Sequence, residues 1–310
     1  MPYRRAVTRD PAEAYADGAA FVDGAFMPVG QASIPILDWG FLRGDATYDV
    51  VHVWDGAFFR LDEHLDRFER SLARMHYSVP YDRDAIAETL HRCVGLAGLR
   101  DAFVEMLVTR GIPRTRDPRT AVNRFAAFAV PFVWILPPER RDAGLNLVIS
   151  SIERIRSQSV DPTVKNYHWL DLVRGLYEAY ERGGETTSLV DAEGHVLEGP
   201  GFNLFVIAGG AVATPGEGVL EGVTRATAAE LLGQRNVPVE LRAVHADELR
   251  GADEAFVTST AGGVMPVTRV DGRPLGAGTV GPITARLVAD YWDAHRRPEW
   301  STPVLYGPGG

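Results

Sequence analysis

Strand-like and helix-like segments follow one another along this chain without a regular βαβ alternation, and that order constrains the fold more than any other feature. Short strands pair around two-residue turns in Phe21-Val22-Asp23-Gly24-Ala25-Phe26, and again where Tyr48 to Val53 leads through Trp54-Asp55-Gly56 to Phe58-Phe59. Asp-Gly at each turn tolerates the left-handed backbone that a tight hairpin needs. Helical spacing takes over with Leu65, Phe68, Leu72 and Met75, and again with Ile86, Leu90 and Val94. Extended runs return over 102–109 and 125–136, the second read as a fully buried strand. The later chain predicts a strand over 145–150 and a helix from 169 or 170 to about 182, closed by Gly183-Gly184. A hairpin is expected between 188–190 and 195–198, and a second between 202–207 and 211–214. A helix over 224–232 with Thr224 at its cap, a strand over 255–258 and a helix over 282–294 complete the reading. The mixture favours an α+β fold over a doubly wound Rossmann sheet.

At 310 residues the chain should hold about two domains. The segment Pro137-Pro138-Glu139-Arg140-Arg141-Asp142 reads as the linker. The expected division is an arm over 1–20, a small domain over 21–136, a linker over 137–144 and a large domain over 145–310. A net charge of −9 argues against a nucleic-acid partner. The single cysteine, Cys93, excludes an intrachain disulfide and a cysteine cluster. No metal-ligand spacing occurs among the eight histidines, so no metal is expected. The longest apolar run, 125–138, is shorter than the ~20 residues of a membrane helix, and Pro131 interrupts it. No secretory signal is expected either, which makes a cytoplasmic, membrane-free protein the expectation.

All but one of the 32 basic residues are arginine; the exception is Lys165. A primary amine condenses with carbonyls and can lose its proton near neutral pH when desolvated, which a guanidinium cannot do. Val164, Tyr167 and Trp169 give this amine a partly apolar setting. On the count alone, compositional drift toward arginine and a catalytic amine explain the lone lysine equally well. Schiff-base chemistry with pyridoxal phosphate also needs a phosphate site and a carboxylate for the pyridine nitrogen. Gly222-Val223-Thr224-Arg225 at a helix start and Ser259-Thr260-Ala261-Gly262-Gly263 offer the former, and Glu198 the latter.

In order, His64-Leu65-Asp66-Arg67-Phe68, Lys165-Asn166, Glu198-Gly199-Pro200-Gly201-Phe202-Asn203, Gly222-Val223-Thr224-Arg225 and Thr260-Ala261-Gly262-Gly263 resemble the fold-type IV pyridoxal-phosphate enzymes over about residues 20–295. That family includes branched-chain and D-amino acid aminotransferases, aminodeoxychorismate lyases and (R)-selective amine transaminases. The resemblance implies a smaller N-terminal α/β sandwich and a larger C-terminal pseudo-barrel with the cofactor between them, in a homodimer. It implies Lys165 as the imine-forming residue and proton shuttle. Arg67, Thr224, Ser259 and Thr260, with backbone N–H groups around Val223, would bind the phosphate. Glu198 would keep the pyridine nitrogen protonated.

Within the family the likeness is to (R)-selective amine transaminases. It is carried by Thr47-Tyr48-Asp49-Val50, the stretch from Val53 to Asp62, Arg100 to Glu105, Trp169, Asp171 to Gly175 and Gly281-Pro282-Ile283-Thr284. The implied substrate residues are Arg43, Tyr48, Val50, Phe103, Glu105, Arg116 and Trp169. Arg116 would bind the carboxylate of a keto acid such as pyruvate, with Arg114 and Arg119 as alternatives. In extended chain Tyr48 and Val50 share a face, as do Phe103 and Glu105. The implied reaction is ping-pong transfer from an (R)-configured arylalkylamine to a keto acid. Transamination of branched-chain or D-amino acids is the alternative, followed by a pyruvate-releasing lyase and a non-catalytic ligand binder. Tyr167-His168, Pro200 and Ser259 depart from the family pattern.

Overall fold

The computed structural model describes residues 14–306, which divide into two compact units. The expected arm over 1–20 lies largely outside these residues, and its last two positions, Ala19 and Ala20, already belong to a strand. Both units mix sheet and helix, as an α+β fold requires.

The first unit holds β1 (Ala19–Val22), β2 (Ala25–Pro28), α1 (Trp39–Arg43), β3 (Ala46–Trp54), β4 (Ala57–Phe59), α2 (Leu61–Arg74), α3 (Arg83–Ala97), β5 (Ala102–Thr109) and β6 (Arg124–Pro131). The two predicted hairpins form. Their turn residues Asp23 and Gly24 (φ 52° and 82°), and Asp55 and Gly56 (φ 48° and 79°), take the left-handed backbone that matches strand twist. The C-terminal strand Ser301–Pro303 joins β4, giving a seven-stranded antiparallel sheet in the order Ser301–Pro303, β4, β3, β5, β6, β1, β2. Alternation sends Val51, Val53, Val104, Met106, Val108 and Ala127 to one face, where they pack with Leu65, Phe68, Leu90 and Val94 of α2 and α3. Asp82 caps α3 by accepting from the Ala85 N–H at 2.9 Å, and Gly98 ends it at φ 63°. Cys93 is free in this core, and burial pushes its thiol up to about 12.

The second unit holds β7 (Leu145–Glu153), α4 (Leu170–Glu181), β8 (Thr186–Val190), β9 (Glu198–Gly199), β10 (Phe202–Ala208), β11 (Ala211–Thr214), α5 (Val223–Gln234), β12 (Val239–Leu241), α6 (Ala246–Arg250), β13 (Glu254–Ser259), β14 (Gly263–Val270), β15 (Arg273–Pro274) and α7 (Pro282–Asp293). Its sheet runs β12-β11-β10-β13-β14-β7-β8, with β9 on β10 and β15 on β14. The pairs β11–β12, β14–β7 and β7–β8 are parallel, and the rest are antiparallel. Parallel neighbours need a long crossover. Between β7 and β8 that crossover is the loop bearing Lys165 followed by α4.

Several expectations are corrected. The strand expected over 125–136 ends at Pro131, and Phe128 and Val130 are only half-buried. The hairpin over 188–198 forms but is short: Val190 bridges Val196, the Asp191 N–H donates to the His195 carbonyl and the Leu197 N–H to the Leu189 carbonyl, each at 2.9 Å, and Asp191 closes the turn by accepting from the Glu193 and His195 N–H groups at 3.0 and 2.8 Å. Glu198 pairs with β10 instead. The cap of α5 is Gly222, and Thr224 is the helix's second residue. The division between units falls at 132/133. The stretch 137–144 belongs to the second unit, where Thr268 Oγ1 donates to the Ala143 carbonyl at 2.6 Å. The tail is not part of a 145–310 domain. It covers the β4 edge, whose backbone groups would otherwise be unpaired, and Leu305 N–H and the Tyr306 hydroxyl bond to His91 Nδ1 and the Leu99 carbonyl. Among the described residues no helix is long and apolar enough to cross a membrane.

Leu90 is fully buried at the centre of the first core. Leu90→Ala is expected to lower the unfolding free energy by about 2–5 kcal/mol in urea titrations. A loss smaller than a surface substitution gives would contradict this packing.

Candidate active site

The predicted residues divide between the two units. In the second, Lys165 lies half-buried in the loop from β7 to α4. The loop is braced on both sides of it: Asn166 Nδ2 donates to the Val164 carbonyl at 2.9 Å, and Asn166 Oδ1 accepts from the His168 N–H at 2.9 Å. Val164 is buried beneath. Trp169, also half-buried, lies over the turn after β9, where a Cβ on Gly201 would stand 3.5 Å from its ring.

Glu198, on β9, is 7% exposed. Its Oε1 accepts from Arg154 Nη2 at 3.1 Å and Nε at 3.3 Å, and its Oε2 from the Leu220 N–H at 2.9 Å. Arg154 Nη1 also donates to Asp171 Oδ2 at 2.7 Å. Burial pushes the Glu198 carboxyl up from its ordinary value, while Arg154, the Leu220 N–H and the charge of Lys165 pull it back. The lone amine and this acid are thus electrostatically coupled.

The same loop reaches the predicted anion site. Asn203, cross-strand from Glu198, donates from Nδ2 to the Leu220 carbonyl at 3.0 Å. A Cβ on Gly222 would stand 2.1 Å from Asn203 Oδ1, so a larger residue here would have to displace the Asn203 side chain from its bond to Leu220. From Gly222 the chain enters α5 at Val223 with no side-chain cap. The N–H groups of that first turn and the helix dipole form a place for an anion. Thr224 is buried in this turn. Arg225, also buried, points inward, its Nε to Thr214 Oγ1 at 3.3 Å and its Nη2 to the Pro215 carbonyl. The helix packs against β13. At the end of β13, Ser259 Oγ accepts from the Ala261 N–H at 3.2 Å, and Thr260 is half-buried beside it. An amine, an acid coupled to it and an open helix N-terminus flanked by hydroxyls form a donor set that fits pyridoxal phosphate.

In the first unit, one sheet face is covered by α2 and α3. The other gathers Tyr48 and Val50 of β3 with Phe103 and Glu105 of β5, since Val50, Glu105 and Phe128 stand directly across from one another. His52, Trp54, Phe128 and Phe132 extend this face. His52 and Trp54 both meet Phe132 edge to face at 5.6 and 5.9 Å, and Phe103 stacks on Phe128 at 6.4 Å. Arg67, on α2, serves the opposite face. Its Nε and Nη2 donate to the two oxygens of fully buried Asp49 at 2.7 and 2.8 Å, and His64 Nδ1 lies 2.8 Å from Asp49. Burial raises the Asp49 carboxyl, but Arg67 and His64 outweigh it and hold the group well below its ordinary value. Burial also lowers His64, against the pull of Asp49. Arg43 is exposed at the end of α1, 5.7 Å from the Trp39 ring centre. Arg114, Arg116 and Arg119 are all exposed, but Arg119 is tied to Asp117 by a fork at 2.6 to 3.0 Å, which leaves Arg114 and Arg116 as the candidates for a carboxylate.

Sequence reasoning gave no role to Arg154 or Phe128. The signal for Phe128 was its period-two spacing with Val130. For Arg154 it was an arginine eleven residues before the lone lysine, in a chain where arginines are too many for one to stand out.

Comparison with known proteins gives the class. The family model for amino-transferase class IV matches residues 46–270, and the chain belongs to that family. It is similar to a branched-chain-amino-acid aminotransferase of Pseudomonas aeruginosa, at 30% identity over 301 residues covering 93% of this chain and 98% of that one. It is also similar to a D-alanine aminotransferase of Bacillus licheniformis, at 29% over 269 residues covering 86% and 93%. Among solved structures, a crystal structure of the T.th. branched-chain amino acid aminotransferase with pyridoxamine 5'-phosphate matches with a TM-score of 0.87 at 29% identity, covering 93% of this chain and 99% of that one. The protein is a pyridoxal-phosphate-dependent aminotransferase with the two-domain fold of its class.

Asp49→Asn breaks a buried ion pair and is expected to cost about 3–5 kcal/mol at neutral pH. Because the native carboxyl is held low, its contribution is full above the ordinary value of 3.8 and is lost as pH falls below it. Urea titrations of both proteins should show their stability gap closing as pH drops through that range. A gap independent of pH would contradict the assignment.

Proposed function

We propose that this aminotransferase moves the amino group of an (R)-configured primary amine of arylalkyl type to a keto acid such as pyruvate, as a homodimer. The observation that carries the reading is the face of the first sheet opposite α2 and α3, which α1 meets at Thr109. It presents Tyr48, Val50, Trp54, Phe103 and Phe128 around one carboxylate, Glu105. On β3 and β5 this face has no arginine or lysine to receive an amino acid's α-carboxylate. On β6 the one arginine, Arg124, is paired with Asp23 at 2.9 Å and lies 3.7 Å from Asp38. An aromatic wall whose one strand arginine is already paired with acids suits an apolar amine. The motifs shared with (R)-selective amine transaminases support the configuration, and they are what assigns Arg43, Trp169 and Arg67 to substrate and phosphate.

When bound, the cofactor supplies an electron sink for the carbon that loses its proton. Lys165 Nζ would take that proton and return it. Glu198 would set negative charge against the ring nitrogen. Val223 and Thr224, with Ser259 and Thr260, would hold the phosphate. Donor and acceptor use the same residues in turn, and an exposed Arg116 or Arg114 meets the acceptor's carboxylate. The homodimer is supported by apolar side chains left in water: Ile36, Leu37 and Phe41 in the first unit, and Leu170, Val173, Tyr177 and Tyr180 along one stripe of α4 in the second. The single cysteine accords with a reducing, cytoplasmic setting.

A second reading, transamination of branched-chain or D-amino acids, is favoured by the names of the relatives. A donor panel separates the two. With pyruvate or 2-oxoglutarate as acceptor, (R)-1-phenylethylamine is expected to be consumed faster than its (S)-enantiomer, leucine or D-alanine, followed by chiral chromatography. Activity confined to amino acids would establish the second reading.

A further inference from the structure

Arg154 stands apart from the chain's other arginines. Like Arg67 it is buried, its side chain 8% exposed, but it lies between two carboxylates, Glu198 and Asp171, themselves 9% and 15% exposed. It follows directly on β7, at the start of the loop that carries Lys165. Its Nη1 goes to Asp171, in the first turn of α4, while its Nε and Nη2 both go to a single oxygen, Oε1, of Glu198. The other oxygen, Oε2, takes one backbone N–H, from Leu220. A carboxylate has about four lone-pair positions on its two oxygens, so this arrangement retains acceptor capacity on Oε2.

We propose that Arg154 is a positioning residue for the reaction: its guanidinium holds Glu198 as a carboxylate and so keeps the proton on the ring nitrogen of the bound pyridoxal phosphate. A buried carboxyl facing a pyridine nitrogen can share one proton in two ways, as a carboxylate with a pyridinium or as a neutral acid with a neutral ring. A desolvated site favours the neutral pair, because separated charge is poorly solvated there. A fixed guanidinium on Oε1 stabilises the carboxylate form over the neutral acid and would tip the balance toward a charged ring. Asp171 spares the site the full cost of a buried unpaired cation. The protonated ring is the better electron sink, so an arginine bonded to Glu198 and Asp171 would govern the reaction through Glu198.

The proposal rests on Glu198 as the partner of the ring nitrogen, and the test separates the two claims. Holoenzyme is loaded with ring-15N pyridoxal phosphate, and the nitrogen resonance is read at neutral pH in wild type, Glu198→Gln, Arg154→Gln, Arg154→Lys and Asp171→Asn. Wild type should show the pyridinium position, and Glu198→Gln the neutral position. Arg154→Gln should move toward neutral, and Arg154→Lys, a point charge with fewer contacts, should move part-way. Asp171→Asn leaves Arg154 to Glu198 alone and should stay at the pyridinium position. The amine half-reaction of Arg154→Gln should slow about tenfold or more with little change in KM. If Glu198→Gln does not move the resonance, the role of Glu198 fails. If it does while Arg154→Gln stays at the wild-type position, the role of Arg154 is overturned. An Asp171→Asn change equal to that of Arg154→Gln would show mere bracing of the loop, which also overturns it. If Arg154→Gln does not accumulate as folded holoenzyme, Arg154→Lys decides by the same criterion.

Discussion

Burial of the Glu198 carboxylate is the constraint around which the second unit is organised. An acid at 7% exposure needs compensating donors, and they come from three directions: Arg154 after β7, the Leu220 N–H before α5, and the charge of Lys165. Each donor fixes a segment. Arg154 anchors the start of the lysine loop, and through Asp171 the start of α4. The Leu220 contact, with the bond from Asn203 and the tight passage at Gly222, fixes how the chain enters α5 and so where its open N-terminus lies. The acid, the amine and the anion site are therefore one coupled construction rather than three neighbouring features.

The first unit solves a different problem with one sheet. Its helix-covered face holds the apolar core and the Asp49–Arg67–His64 cluster, and its other face holds aromatic side chains and Glu105. A one-residue alternation separates structural from candidate substrate residues along β3, where Asp49 and Val51 face the helices while Tyr48 and Val50 do not. Arg67 thereby acquires a structural partner, and the sequence pattern that singled it out as a phosphate ligand is satisfied by an ion pair as well.

Much of this was legible in the sequence. The hairpins were marked by Asp-Gly turns, the helices by apolar spacing, and the substrate-facing residues by period two. The lone lysine was legible because it was rare. What escaped depended on long-range pairing. No local pattern says that Ser301–Pro303 will close the edge of β4, since that follows from an unpaired strand far away in the chain. The hairpin turn that the Asp191 side chain closes is a local feature, but that Glu198 then leaves it to pair with β10 is not, and propensity alone does not say so. Arg154 was hidden because charge partners brought together by the fold leave no spacing signature: Glu198 lies 44 residues on.

The central claim is that the single lysine is the residue through which this aminotransferase holds and serves its cofactor. Borohydride reduction of the holoenzyme followed by peptide mapping tests it most directly, because besides the chain's amino terminus only one amine is present. The phosphopyridoxyl group should be found on the peptide containing Lys165, and Lys165→Arg should fold, remain unlabelled there and lose turnover. Label confined to the amino terminus, or full turnover in Lys165→Arg, would contradict the account.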